Sequence, residues 1–158
     1  MVVRIYLMGR FGTRNKEKNM LKVKKLHRYA LLPAKQPDSI AYDFYSCEDV
    51  TITPQGRALV RTGLACEFPC NYVARICDRS GIAVKQGLHI MAGVIDPDYR
   101  GEWKIVFYNT TNKSVTLKAQ TRIAQVLFYR VADFSVTEVD SLSSTQRGAG
   151  GFGSTGEK

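Results

Sequence analysis

Apolar and polar residues alternate in short bursts along most of the chain. The clearest case is Trp103-Lys104-Ile105-Val106-Phe107, where Trp103, Ile105 and Phe107 fall on one face. A period of two marks a strand with one buried side. Comparable segments are read at 21–26, 39–46, 50–53, 58–62, 64–68, 72–77, 88–95, 103–109, 115–117 and 122–131. Turn residues separate them, as in Pro54-Gln55-Gly56, Pro69-Cys70-Asn71 and Thr110-Thr111-Asn112-Lys113. Short strands with turns every 8 to 12 residues or so predict an all-β sandwich or jelly-roll barrel. Only Ser80–Gln86 suits a short helix, and no internal repeat breaks the pattern.

One turn stands out for its chemistry. Gly93-Val94-Ile95-Asp96-Pro97-Asp98-Tyr99-Arg100-Gly101-Glu102 separates the β-rich runs 88–92 and 103–107. Asp opening a turn, Pro next and Gly at the far end predict a hairpin, since each suits a particular turn position. Its tip carries two carboxylates and a phenol. Taken alone it reads as a polar loop braced by proline.

Size and charge narrow the possibilities. At 158 residues there is room for one domain with a core. No apolar run approaches the roughly 20 residues of a membrane span, and the opening Val2–Met8 is too short for a secretory signal. The net charge of +9 is carried entirely by residues 1–36, which hold ten Lys or Arg against Glu17; the remainder holds thirteen of each sign. Residues 1–20 are expected to form a basic, mobile extension. It could touch nucleic acid weakly, and Lys22-Val23-Lys24-Lys25 has the composition of a nuclear import signal; a solvated tail explains it equally. Cys47, Cys66, Cys70 and Cys77 lack zinc spacing and read as small apolar residues in a reducing compartment, so an intracellular location, cytoplasmic or nuclear, is expected. His89, between Leu88 and Ile90, reads as structural.

Two further stretches offer groups to an anion. In Asp78-Arg79-Ser80-Gly81-Ile82-Ala83 a strand turns into the short helix, presenting amides, a hydroxyl and a guanidinium. The tail, from Thr145 to Lys158, sets Arg147, Phe152, Ser154 and Thr155 among glycines. Glycines let backbone amides approach phosphate, and a lone aromatic can stack on a base. Residues 21–140 are thus expected to form the β domain and 141–158 an arm.

In order along the chain, five segments resemble the motifs of the trimeric dUTP pyrophosphatase (dUTPase) family: Ala41–Ser46, Arg79–Ala83, Ala92–Gly101, Arg122–Gln125 and Arg147–Gly156. The resemblance runs from about Leu21 to the end. It implies a jelly-roll protomer and a homotrimer in which each active site draws on three chains, the arm of one closing over its neighbour's site. The implied reaction converts dUTP and water to dUMP and pyrophosphate with Mg²⁺.

Carried over by position, the resemblance makes Asp96 the base that orients and deprotonates the attacking water. It sets Tyr99 against the deoxyribose, excluding a 2′-hydroxyl, and gives the Ala92–Gly93 backbone the uracil edge. Asp43 would hold Mg²⁺ through water. Arg79, Ser80, Gly81 and Gln125 would take the phosphate chain. Phe152 would stack on uracil while Arg147, Gly153, Ser154 and Thr155 close over the β- and γ-phosphates.

Some positions depart from the family pattern. Ala41 stands for a usual Gly, Val73-Ala74 for Tyr-Gly, Asp78 for Pro, and Gln120-Thr121 for Gly-Asp. Asp78 either adds negative charge near a phosphate site or caps the helix. The competing readings are a dUTPase-derived binding protein without catalysis and the related dCTP deaminases. Retention of Asp96, Tyr99 and the whole fifth motif favours the enzyme.

Overall fold

The computed structural model describes residues 20–151. The basic extension before Met20 and the arm residues Phe152, Gly153, Ser154 and Thr155 lie outside the described residues.

The described chain is eleven strands and one short helix: β1 Lys22–Lys25, β2 Tyr42–Tyr45, β3 Val50–Ile52, β4 Arg57–Arg61, β5 Leu64–Glu67, β6 Tyr72–Cys77, α1 Ser80–Gln86, β7 Leu88–Met91, β8 Val94–Ile95, β9 Lys104–Asn109, β10 Val115–Leu117 and β11 Arg122–Arg130. One sheet runs β2-β11-β6-β8 and another β4-β9-β7, with β1-β5 and β10-β3 as two-stranded pairs. Every pairing of these strands is antiparallel. This is the all-β architecture that the alternation predicts.

The period of two is visible in burial. Ile105, Phe107 and Asn109 of β9 point inward while Lys104 is exposed. Asn109 is a polar residue on the apolar face, and it is fully engaged. Its side-chain amide donates to the carbonyls of Ile52, Thr53 and Lys113, and its Oδ1 accepts from Thr111, so no buried polar group is orphaned there. The centre of the core is aromatic. Trp103 stacks on Phe44 at 5.3 Å and meets Phe68 edge-on at 6.0 Å, and Phe68 in turn packs on Phe128. Such offset and edge contacts add to the burial of large apolar area. Cys47 and Cys66 belong to this interior, and burial pushes the Cys66 thiol up to about 12, which makes it inert. Cys70 is instead exposed on the turn between β5 and β6, and all four thiols are free.

The segment 88–95, expected as one strand, is two. Ala92 and Gly93 both have positive φ, 63° and 103°, and the chain leaves β9 at that point to pair β8 with β6 in the other sheet. Gly93 is needed there. A Cβ at this position would lie 2.8 Å from the Ile76 carbonyl oxygen, which is backbone and cannot swing away. Gly93→Ala is therefore expected to destabilise the protein by about 2–3 kcal/mol. The check is the urea midpoint of the purified variant; an unchanged midpoint would show that the crossover does not depend on this residue.

Candidate active site

The loop between β8 and β9 is held rigidly at both ends and presents its middle to solvent. At its entry the Gly93 carbonyl accepts the Ile76 N–H at 2.7 Å. At its exit the Glu102 carboxylate takes both a bond from the Arg61 Nε, 3.1 Å to each oxygen, and one from the Gly63 N–H at 2.9 Å. The Trp103 N–H then donates to the Leu64 carbonyl, and the Thr62 hydroxyl to the Trp103 carbonyl. Between these clamps the turn closes as the residue types predict, with the Tyr99 N–H donating to the Asp96 carbonyl. Arg100 reaches back to the Pro97 carbonyl.

Two side chains are thereby displayed. Asp96 is exposed, and no hydrogen bond or ion pair among the described residues engages its carboxylate. Tyr99 is 45% exposed. Its phenol end lies against Gly101, where a Cβ would sit 2.4 Å from the phenol oxygen, and the hydroxyl donates to the Glu102 carbonyl. Gly101 thus leaves the space that the end of the Tyr99 ring occupies.

A second group gathers on the sheet that β8 joins, around β2 and β11. Asp43 on β2 sits between two guanidinium groups: Arg79 Nε at 2.9 Å on Oδ1 and Arg122 Nη1 at 3.3 Å on Oδ2. Arg79 also donates to the Arg122 carbonyl at 3.0 Å. The Gln125 amide donates to the Asp78 carbonyl at 2.7 Å, which locks β11 to the turn that opens α1. Asp43 and Gln125 face each other in the β2–β11 register, so strand pairing itself brings them together. Ser80 and Gly81, in the first turn of α1, are exposed, and a Cβ at Gly81 would meet nothing within 4 Å. The result is an open, cationic shelf with one carboxylate. It suits a chain of phosphates, which guanidinium groups and backbone amides bind well.

The donor set also bears on metal. Among the described residues no group of three or more His, Cys, Asp or Glu could hold an ion. A single carboxylate near a phosphate shelf fits Mg²⁺ retained through its own waters, the habit of an ion that dehydrates reluctantly.

No hydrogen bond or ion pair among the described residues joins Ala92, Gly93, Asp96 or Tyr99 to Asp43, Arg79, Ser80 or Gln125. The Arg147 Nε donates to the Gly150 carbonyl at 2.8 Å, in a turn whose Gly148 has φ +52°.

Asp78 does not cap α1; the N-cap is Arg79, with no side-chain cap, and the Asp78 carboxylate turns to β7 instead. Ala41 needs no glycine conformation, since positive φ among non-glycine residues falls at Gln55, Ala92 and Gln120. Gln120 does occupy a left-handed position, φ +63°, where the dUTPase pattern has Gly. Arg122, in the fourth motif, holds Asp43 through a contact that only the β2–β11 pairing creates.

Comparison with known proteins agrees with this geometry. The dUTPase family model matches residues 27–156. A deoxyuridine 5′-triphosphate nucleotidohydrolase of Nautilia profundicola is 46% identical over 140 residues, spanning 87% of this chain and 99% of its own. The enzymes of that name from Paramecium bursaria Chlorella virus 1 and Saccharomyces cerevisiae are 44% and 40% identical, over 86% and 87% of this chain and 97% and 95% of their own. Among solved structures, a Staphylococcus bacteriophage 80alpha dUTPase with dUpNHpp superposes with a TM-score of 0.82 at 28% identity, covering 87% of this chain and 98% of that one. With its five motifs in order, its paired shelf and loop, and relatives over nearly its whole length, the chain belongs to the dUTPase family.

Proposed function

We propose that the protein hydrolyses dUTP to dUMP and pyrophosphate, with Asp96 as the base and Asp43, Arg79, Ser80, Gly81 and Gln125 as the phosphate side of the site. Such an activity limits uracil incorporation into DNA and supplies dUMP for thymidylate synthesis. The observation that carries the assignment of roles is the β8–β9 loop, clamped at Gly93 and Glu102 yet displaying an unengaged Asp96 carboxylate.

In this reading the nucleoside lies along the loop. The Ala92–Gly93 backbone meets the uracil edge, where cytosine would offer the wrong donor and acceptor pattern. Tyr99 packs against the deoxyribose and leaves no space for a 2′-hydroxyl. The Asp96 carboxylate, an acceptor only, accepts a proton from the water as it attacks the α-phosphorus. Arg79 and the amides of Ser80 and Gly81 take up charge on the triphosphate, and Gln125 keeps the turn in place. Bound near Asp43, Mg²⁺ would neutralise phosphate charge and favour departure of pyrophosphate.

The reading goes with the trimeric assembly of the family, in which a neighbour brings its shelf to the loop and a third chain brings the arm; among the described residues no hydrogen bond joins Asp96 or Tyr99 directly to Asp43, Arg79, Ser80 or Gln125. Arg147, Phe152, Gly153, Ser154 and Thr155 would close over the phosphates and base, excluding all but the attacking water. Four free thiols suit a reducing intracellular setting, cytoplasmic or nuclear.

The test is pyrophosphate or proton release with dUTP, dCTP, dTTP and UTP, with and without Mg²⁺. Hydrolysis of dUTP should exceed that of each competitor by at least about tenfold in kcat/KM and should fall without the metal. Equal rates on dUTP and dTTP would refute the reading.

A further inference from the structure

Asp78 occupies a position from which three elements are tied together. Its backbone carbonyl accepts the Gln125 amide from β11 at 2.7 Å. Its carboxylate accepts the Ile90 N–H of β7 at 2.7 Å through Oδ1 and meets the His89 Nδ1 at 2.7 Å through Oδ2. The next residue is Arg79, which both caps α1 and holds Asp43. α1 has no side-chain cap and no acidic residue in its first turn, so nothing within the helix positions its start. That task falls one residue upstream. At this position the dUTPase pattern has Pro, which restrains the backbone through its ring; here a carboxylate restrains it through hydrogen bonds instead. His89 is the outer half of the device: its side chain is 63% exposed, and its contact with Oδ2 keeps the carboxylate in the rotamer that leaves Oδ1 on the Ile90 N–H.

We infer that Asp78 and His89 form a positioning pair that sets the phosphate-binding turn, Arg79-Ser80-Gly81, against β7 and β11. The inference rests on the dUTP reading of the site. Neither residue touches the phosphates, so the pair governs how well the turn is organised before substrate arrives, and its loss registers in binding of the phosphate chain more than in the chemical step.

The experiment compares Asp78→Ala, Asp78→Asn, His89→Ala and the Asp78→Ala/His89→Ala double variant with the unaltered protein in steady-state dUTP hydrolysis, alongside equilibrium binding of dUMP. Asp78→Ala should raise KM for dUTP about tenfold, the scale of one charge-assisted hydrogen bond, with kcat within about threefold. Asp78→Asn keeps an acceptor for the Ile90 N–H and a donor for a neutral imidazole, and should restore KM to within about twofold. His89→Ala should raise KM about two- to threefold, and the double variant should add nothing to Asp78→Ala, because the two residues act through one contact. Affinity for dUMP, which lacks the β- and γ-phosphates, should change less than KM for dUTP. An unchanged KM in Asp78→Ala, a loss confined to kcat, or failure of Asp78→Asn to rescue would overturn the pair. If Asp78→Ala does not fold, the exposed His89→Ala carries the test, and an unchanged KM there overturns it. A normal protein that shows no preference for dUTP over dTTP would overturn the dUTP reading itself, and the pair with it; a selective protein indifferent to these variants would overturn the pair alone.

Discussion

Asp96→Asn is expected to abolish turnover of dUTP while leaving nucleotide affinity nearly intact. Asn is isosteric with Asp, so the turn closed by the Asp96 carbonyl and the Tyr99 N–H is unaffected. The loop clamps at Ile76 and Glu102 are remote from the change. What is lost is a group that can accept a proton as water attacks. General-base assistance is worth about 10²–10⁴ in rate, so kcat should fall by that range. Binding of a non-hydrolysable α,β-imido analogue of dUTP should stay within about threefold, because the amide has the size of the carboxylate and still offers an acceptor oxygen. The paired measurement matters. A fall in kcat alone would also follow from a collapsed loop, whereas a fall in kcat with preserved analogue binding isolates the chemistry. Retained turnover would remove Asp96 from the role of base and turn attention to Asp98, the other exposed carboxylate of the same turn.

The clarity of this site in the sequence depended on how local each feature was. Strand placement came from the period of two, which side chains on one sheet face impose directly, and β3, β6, β9 and β10 fall where alternation puts them. The crossover at Ala92–Gly93 is masked in the sequence because 88–95 is apolar enough to pass for one strand; the glycine inside it is the one local signal of close backbone approach. The β8–β9 loop is readable because its turn chemistry is contained in ten consecutive residues. The hold of Arg122 on Asp43 spans 79 positions and exists only through the β2–β11 pairing. The role of Asp78 was similarly hidden. Its chemistry permitted a helix cap, and only the proximity of β7 shows the carboxylate turned the other way. A residue's options can be read from its type, but the option taken is decided by which strands become neighbours.

Removing residues 147–158 is expected to leave a folded trimer that turns over dUTP poorly. After β11, among the described residues, the Val131 N–H donates to the Asn71 carbonyl, and residues 131–149 are exposed throughout. Phe134, Val136 and Leu142 are large apolar side chains left uncovered in a single protomer, so this stretch has reason to lie on a second copy. A cut at Arg147 spares it, and with it the apolar contacts that would join subunits. Among the described residues the aromatic core around Trp103 is built from Phe44, Phe68 and Phe128, which the cut leaves in place, so the thermal midpoint should shift by no more than about 2 °C and the mass in solution should remain that of a trimer. The functional loss should be large. Stacking of one aromatic on a base is worth about 1–3 kcal/mol and a charge-assisted contact from Arg147 about 1.5–3 kcal/mol, so their combined loss should lower kcat/KM by about 10²–10⁴. If the arm closes over one neighbour's site, two inactive proteins should complement each other. Mixed trimers of Asp96→Asn chains, which keep the arm, and truncated chains, which keep Asp96, should regain part of the activity, because some sites would then combine an intact base with an intact arm. Undiminished turnover in the truncated protein would refute the arm's role. Absence of complementation in verified mixed trimers would instead place arm and base on the same chain.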